Sequence, residues 1–139
     1  MTLENLLKIN QLNAEPSNKN ECAGLVCGAV DRLKDSQVEA LSFASRFDLA
    51  YSAAHGLALA ALRMAGYRSD KRYLVFQCLV YTSDLSSVQI RIFSICHDKR
   101  NLAEYEGHFE VDEPLLAELI TNTKILLECL RKEQIKRSW

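Results

Sequence analysis

Apolar positions recur at three- and four-residue spacing along most of the chain, the period of a helix that buries one face. Leu3, Leu6, Leu7 and Ile9 predict a short helix over residues 2–11. The polar run Asn13-Ala14-Glu15-Pro16-Ser17-Asn18 then ends it or offsets it from a second helix over 19–34. A third helix is expected over 36–65, stopped by Gly66. From Phe47 onward it is apolar nearly all round and rich in small residues (Ala50, Ser52, Ala53, Ala54, Gly56, Ala58, Ala60, Ala61). That composition suits a central helix with neighbours packed close on several sides.

A fourth helix is expected over 71–81, followed by the turn and cap residues Thr82-Ser83-Asp84. A fifth begins near Ser86 and stops at Gly107. Val88-Gln89-Ile90-Arg91-Ile92 alternates like a strand, but Val88, Ile92, Ile95, Cys96, Lys99 and Leu102 form a helical stripe, and helix is the reading adopted. The last helix spans 113–134 with Pro114 in its first turn, where a missing N–H costs nothing. Its core face carries Leu115, Leu116, Leu119, Ile120, Ile125, Leu126, Cys129 and Leu130. The fold class is therefore all-α, an up-and-down bundle of four main helices plus a short N-terminal helix. One domain covers residues 1–139, without internal repeats or low-complexity tracts.

Length supports this, since 139 residues with 48% hydrophobic side chains can close one core without metals or disulfides. The five cysteines (Cys22, Cys27, Cys78, Cys96, Cys129) are odd in number and mostly embedded in apolar runs, so buried reduced thiols and a cytoplasmic location are expected. Cys22 and Cys27 match no common zinc spacing, and neither a metal nor a cofactor is expected. No apolar run approaches the ~18 residues that span a bilayer, so no membrane association is expected. Seventeen basic against eighteen acidic residues leave a net charge of −1. Any affinity for nucleic acid must then be local. Basic residues cluster at Arg68, Lys71 and Arg72 and in the tail 131–137, where cations complement a helix C-terminus.

Candidate chemistry concentrates on the fifth helix. His97, Asn101, Glu104 and His108 are spaced along one face, with Arg100 and Tyr105 beside it. An Arg fork can hold a phosphate, His or Tyr can exchange a proton, and Asn can orient a sugar or backbone group. A solvated, fraying helix end would read the same way, and the glycine at 107 leaves the direction of His108 open. A second group lies on the third helix, where Arg46 and Asp48, charged groups in a central helix, are expected to have partners, and Asp48, Tyr51 or Ser52, and His55 share a face. It serves either as a network fastening helices or as the wall of a site opposite the fifth helix.

Taken together, Ser45-Arg46-Phe47-Asp48-Leu49-Ala50-Tyr51-Ser52-Ala53-Ala54-His55, Ala65-Gly66-Tyr67-Arg68 and Lys99-Arg100-Asn101-Leu102-Ala103-Glu104-Tyr105-Glu106-Gly107 resemble a HEPN domain over residues 37–130. The resemblance implies an up-and-down four-helix bundle, usually a homodimer, in a family linked to RNA cleavage, toxin–antitoxin pairs and defence against phage. Nuclease members place an Arg, a polar residue and a His a few positions further on at the dimer interface. Arg100 and Asn101 match the first two. Tyr105, Glu106 and Gly107 stand where the His would fall, and His108 lies one place too far. Two functions follow as expectations. One is a metal-independent ribonuclease or toxin-type component using Arg100, Asn101 and Tyr105, supported by His97 or His108. The other is a non-catalytic dimeric module that binds RNA, a nucleotide or a protein partner. An antitoxin is one such partner. Another, by family analogy, is a nucleotidyltransferase acting on Tyr105.

Overall fold

The computed structural model describes residues 2–107 and 112–139. Its elements are α1 (Leu3–Lys8), β1 (Asn13–Ala14), α2 (Lys19–Ser36), α3 (Phe43–Met64), β2 (Tyr67–Arg68), α4 (Arg72–Gln77), α5 (Leu79–Thr82), α6 (Ser87–Glu106) and α7 (Glu113–Lys136). The long helices α2, α3, α6 and α7 make the all-α bundle expected from the periodicity. No helix among the described residues is long and apolar enough to cross a membrane.

Local chemistry sets most boundaries. Ser86 caps α6 in a reciprocal capping box with Gln89, which overrides the strand-like alternation that follows it. Asp112 caps α7, with Pro114 in the first turn. Gly107 closes α6 at φ 73°, and Gly66 follows α3 at φ 91°, conformations that favour a residue without Cβ. The third helix begins later than its pattern suggests. Ser36 belongs to the end of α2, where its hydroxyl donates to Leu33 O, Gln37 Nε2 donates to the same carbonyl and Arg46 Nε donates to Ser36 O at 2.8 Å. Ser42, accepting from Ser45 N, then starts α3 at Phe43. The expected fourth helix is divided at Cys78 into α4 and α5.

α3 is the spine. Phe47, Ala50, Tyr51, Ala53, Ala54, Leu57, Ala58, Ala60, Ala61 and Leu62 are buried along it. α2 packs along one side, α7 along another, and α4, α5 and α6 cover the rest. The small side chains are what allow this approach: a Cβ on Gly56 would stand 3.7 Å from Leu25 O and 3.8 Å from Ala29 Cβ. Phe76 of α4 stacks on Phe93 of α6 at 5.5 Å between ring centroids, joining those two helices over the spine.

The polar N-terminal connection is pinned by a residue that its apolar surroundings conceal. Arg63, 1% exposed, donates to Glu15 O (2.8 Å), Pro16 O (2.7 Å) and Tyr67 O (3.3 Å) and pairs with Glu15 and Glu21. Arg68 completes the cluster on Glu15 and Glu21. These bonds hold β1 against β2 in a two-residue antiparallel ribbon, Asn13 opposite Arg68 and Ala14 opposite Tyr67.

All five cysteines are free thiols. Cys22, Cys78 and Cys96 are buried, and burial pushes Cys78 up to about 11 and Cys96 up to about 12. Cys27 differs from the expectation in being exposed, because it lies on the outer side of α2.

Candidate functional site

Three helices bring the polar candidates together. Tyr51, one turn before His55 on α3, turns inward because α3 is enclosed there. Its hydroxyl meets His97 Nδ1 of α6 at 2.9 Å. Asn101, one turn along α6, places its Nδ2 3.1 Å from His97 Nε2. With the amide so oriented Asn101 donates to Nε2, and the proton of the neutral ring sits on Nδ1, which donates to Tyr51 Oη. Tyr73 of α4 stands beside the same imidazole, with ring centroids 5.9 Å apart.

Two guanidinium groups from different helices converge on the Tyr51 ring. The Arg100 carbon lies 5.1 Å from its centroid and the Arg72 carbon 6.0 Å, distances at which a cation is attracted to an aromatic face. Arg100 is 23% exposed and also donates to Glu104 at 2.6 Å, an i,i+4 pair. A cleft of about 400 Å³ beside it is lined by Ala44, Asp48, Arg100, Ala103 and Glu104.

Burial sets the protonation of the centre, and these charges modify it. Burial depresses the His97 pKa below its usual value, and Arg100 and Arg72 add to that against the opposing pull of Asp98. His55 is lowered to about 4 by burial and then by Arg72, His97 and Arg100. Burial raises Tyr51, so its phenol stays protonated at neutral pH despite the nearby arginines. The centre therefore holds uncharged imidazoles and a phenol next to two permanent cations.

Among the sequence candidates, Tyr51, His55, His97, Arg100, Asn101 and Glu104 are gathered here. Asp48 is exposed on the rim of the Arg100 cleft, so it needs no buried partner. Arg46 is elsewhere, capping the end of α2 through Ser36 O. Tyr105, 79% exposed, stands one turn beyond Asn101, and no hydrogen bond or ring contact among the described residues joins it to the cluster. His108 lies outside the described residues.

Sequence reasoning grouped Arg72 with Arg68 and Lys71, yet the three part company. Arg68 joins the Arg63 cluster, Lys71 reaches Gln11 Oε1 at 3.1 Å, and Arg72 faces Tyr51. Tyr73, which follows Arg72 in the chain, stands beside His97. No local spacing signals either role, because the partners of Arg72 and Tyr73 lie on other helices.

No protein-family model, curated protein or solved structure matches the chain.

Proposed function

We propose that this protein is a HEPN-like, RNA-directed protein whose α3–α4–α6 centre holds an RNA phosphate and cleaves the strand without a metal, as the toxin-type component of a toxin–antitoxin or defence pair. The observation that carries the reading is the convergence of Arg72 and Arg100 on one buried tyrosine ring, beside a histidine held neutral. Guanidinium forks recognise phosphate oxygens and offset the charge that develops on a pentavalent phosphorus. In a chain whose net charge is −1, this local pair supplies attraction that the whole surface lacks.

In the cleavage step the RNA 2′-hydroxyl gives its proton to His97 Nε2, and its oxygen forms the new bond to phosphorus. The bond to the 5′ oxygen breaks, and that oxygen takes a proton from solvent. The products are a 2′,3′-cyclic phosphate and a 5′-hydroxyl. Asn101 covers Nε2 in the free protein and turns to the incoming ribose as the base is released. Tyr51, bonded to Nδ1, orients the ring and stabilises the imidazolium that forms. His97 thus takes the part of the histidine missing after Arg100, from the preceding turn of the same helix. The resemblance further suggests a homodimer that brings two such faces together, with Tyr105 and Glu104 at the edge available to RNA, an antitoxin or a nucleotidyltransferase.

One observation favours the alternative of a binding module: both ring nitrogens of His97 are engaged inside the chain. The deciding experiment incubates a mixed RNA pool with the purified protein in EDTA and measures cleavage and binding in parallel for wild type, Arg100→Ala and His97→Gln. Cleavage with cyclic-phosphate ends, lost in both variants, supports the ribonuclease. Binding that Arg100→Ala weakens, without any cleavage, transfers the site to the binding module. Neither cleavage nor binding refutes both readings.

A further inference from the structure

A groove of about 520 Å³ runs between α4–α5 and α6, with Leu6 of α1 at its side. Tyr73, Val80 and Tyr81 open into it, and they are among the large apolar side chains that the fold leaves exposed, Tyr73 at 52%. α4–α5 runs antiparallel to α6 here. Tyr73 faces His97, Gln77 donates to Ser94 Oγ at 2.7 Å, and Tyr81 lies toward the Ser87 end. Tyr73 thus links the groove to the centre, since it lines the groove and its ring centroid stands 5.9 Å from that of His97.

From this juxtaposition we infer that the groove is a nucleobase subsite: an unpaired RNA base next to the phosphate held at Arg72 and Arg100 stacks on Tyr73, and the strand continues over Val80 and Tyr81. The inference rests on the RNA reading of the adjoining centre and extends it to the place where the neighbouring base is held. Three features favour this occupant. An exposed aromatic ring beside a phosphate site offers a platform for any base, and a base can lie on it only when unstacked from its own helix. The charge is complementary, since Arg91 is the charged residue among the described residues that line the groove and no carboxylate lines it. The Gln77–Ser94 pair sets amide and hydroxyl groups on the groove wall, where a base edge can exchange hydrogen bonds with them.

The test measures binding of a fluorescent single-stranded RNA of mixed sequence to wild type, Tyr73→Ala, Tyr73→Phe and Arg100→Ala, each checked for native helicity. Binding of the same strand annealed to its complement is measured alongside. We expect Tyr73→Ala to weaken single-strand binding about tenfold, the scale of one lost base stack, and Tyr73→Phe to restore most of it. Duplex should bind more weakly than single strand, and a 4-thiouridine strand should photo-crosslink to Tyr73 or Tyr81. If wild type and Arg100→Ala differ in RNA affinity but Tyr73→Ala matches wild type and no crosslink falls in the groove, the subsite is refuted while the phosphate site stands. If wild type binds no RNA, both fall. A wild-type dimer that Val80→Glu dissociates without altering RNA affinity would assign the groove to a second copy of the chain and overturn the inference.

Discussion

Acidification should weaken this protein before its carboxylates are reached, and His55 is the principal cause. Its ring sits half-buried on α3, edge-on to Phe76 at 5.8 Å, so desolvation is the main cost of charging it, and Arg72, His97 and Arg100 add to that cost. Folding lowers its pKa from 6.5 to about 4. Above the unfolded value both states are neutral and His55 contributes nothing to the pH dependence. As pH falls through that interval the unfolded chain takes up a proton that the folded chain refuses, so stability falls with it. At about 1.4 kcal/mol per pH unit the full shift corresponds to about 3 kcal/mol, and the ring's partial exposure reduces this to roughly 2 kcal/mol. His97, also depressed, adds to the loss with the same sign. Glu21 acts lower: Arg63 and Arg68 hold its carboxyl below its usual 4.5, so its contribution is intact above that value and is lost only as pH falls further. Urea unfolding followed by circular dichroism, from neutral pH down to about pH 4.5, isolates the histidine term when wild type is compared with His55→Leu. The variant should stay within about 1 kcal/mol of wild type at neutral pH and gain on it steadily toward acid. A stability difference that stays constant across the range would show that His55 titrates alike in both states, and would refute the argument.

Two further substitutions test the framework around the site. Arg63→Met removes a buried charge that ties Glu15, Pro16, Glu21 and Tyr67 to α3. It should cost about 3 kcal/mol and speed amide exchange in the ribbon of β1 and β2. A loss under about 1 kcal/mol would mean that the cluster behaves as a surface pair. Gly56→Ala adds a methyl at ordinary contact distance from α2 and should raise stability by up to about 1 kcal/mol through helix propensity. A fall in thermal midpoint would show the α2–α3 contact to be tighter than its distances indicate.

Much of the architecture was legible because it is written in short range. The capping box at Ser86 and Gln89, Pro114 behind Asp112, and the positive-φ glycines at 66 and 107 each act within one turn of the residues they control. The small-residue run after Phe47 likewise marks a central helix, since only a helix enclosed on several sides needs so few large side chains. The exceptions are equally local in cause. Residues 37–42 keep periodicity enough to pass for helix, but Ser36 and Ser42 supply competing end bonds, and periodicity alone does not weigh a cap against a continuing turn.

The sequence by itself determined the long helices and the segment of α6 where polar chemistry gathers, properties of neighbours three or four residues apart. It did not determine every inward face, since α6 buries Ile90, Phe93 and Cys96 and leaves Val88 of the expected stripe exposed, and α7 buries Leu127 and leaves Ile125 exposed. Tertiary structure decided which side chains make a centre. It turned Tyr51 rather than Ser52 toward His97, sent Arg72 to the site but Arg68 to Glu15 and Glu21, withdrew Arg46 to the end of α2, and left Tyr105 exposed. The physical reason is that arginine and tyrosine reach their partners across helix interfaces. Their bonds and their desolvation depend on which helices pack together, and helical spacing carries no record of that.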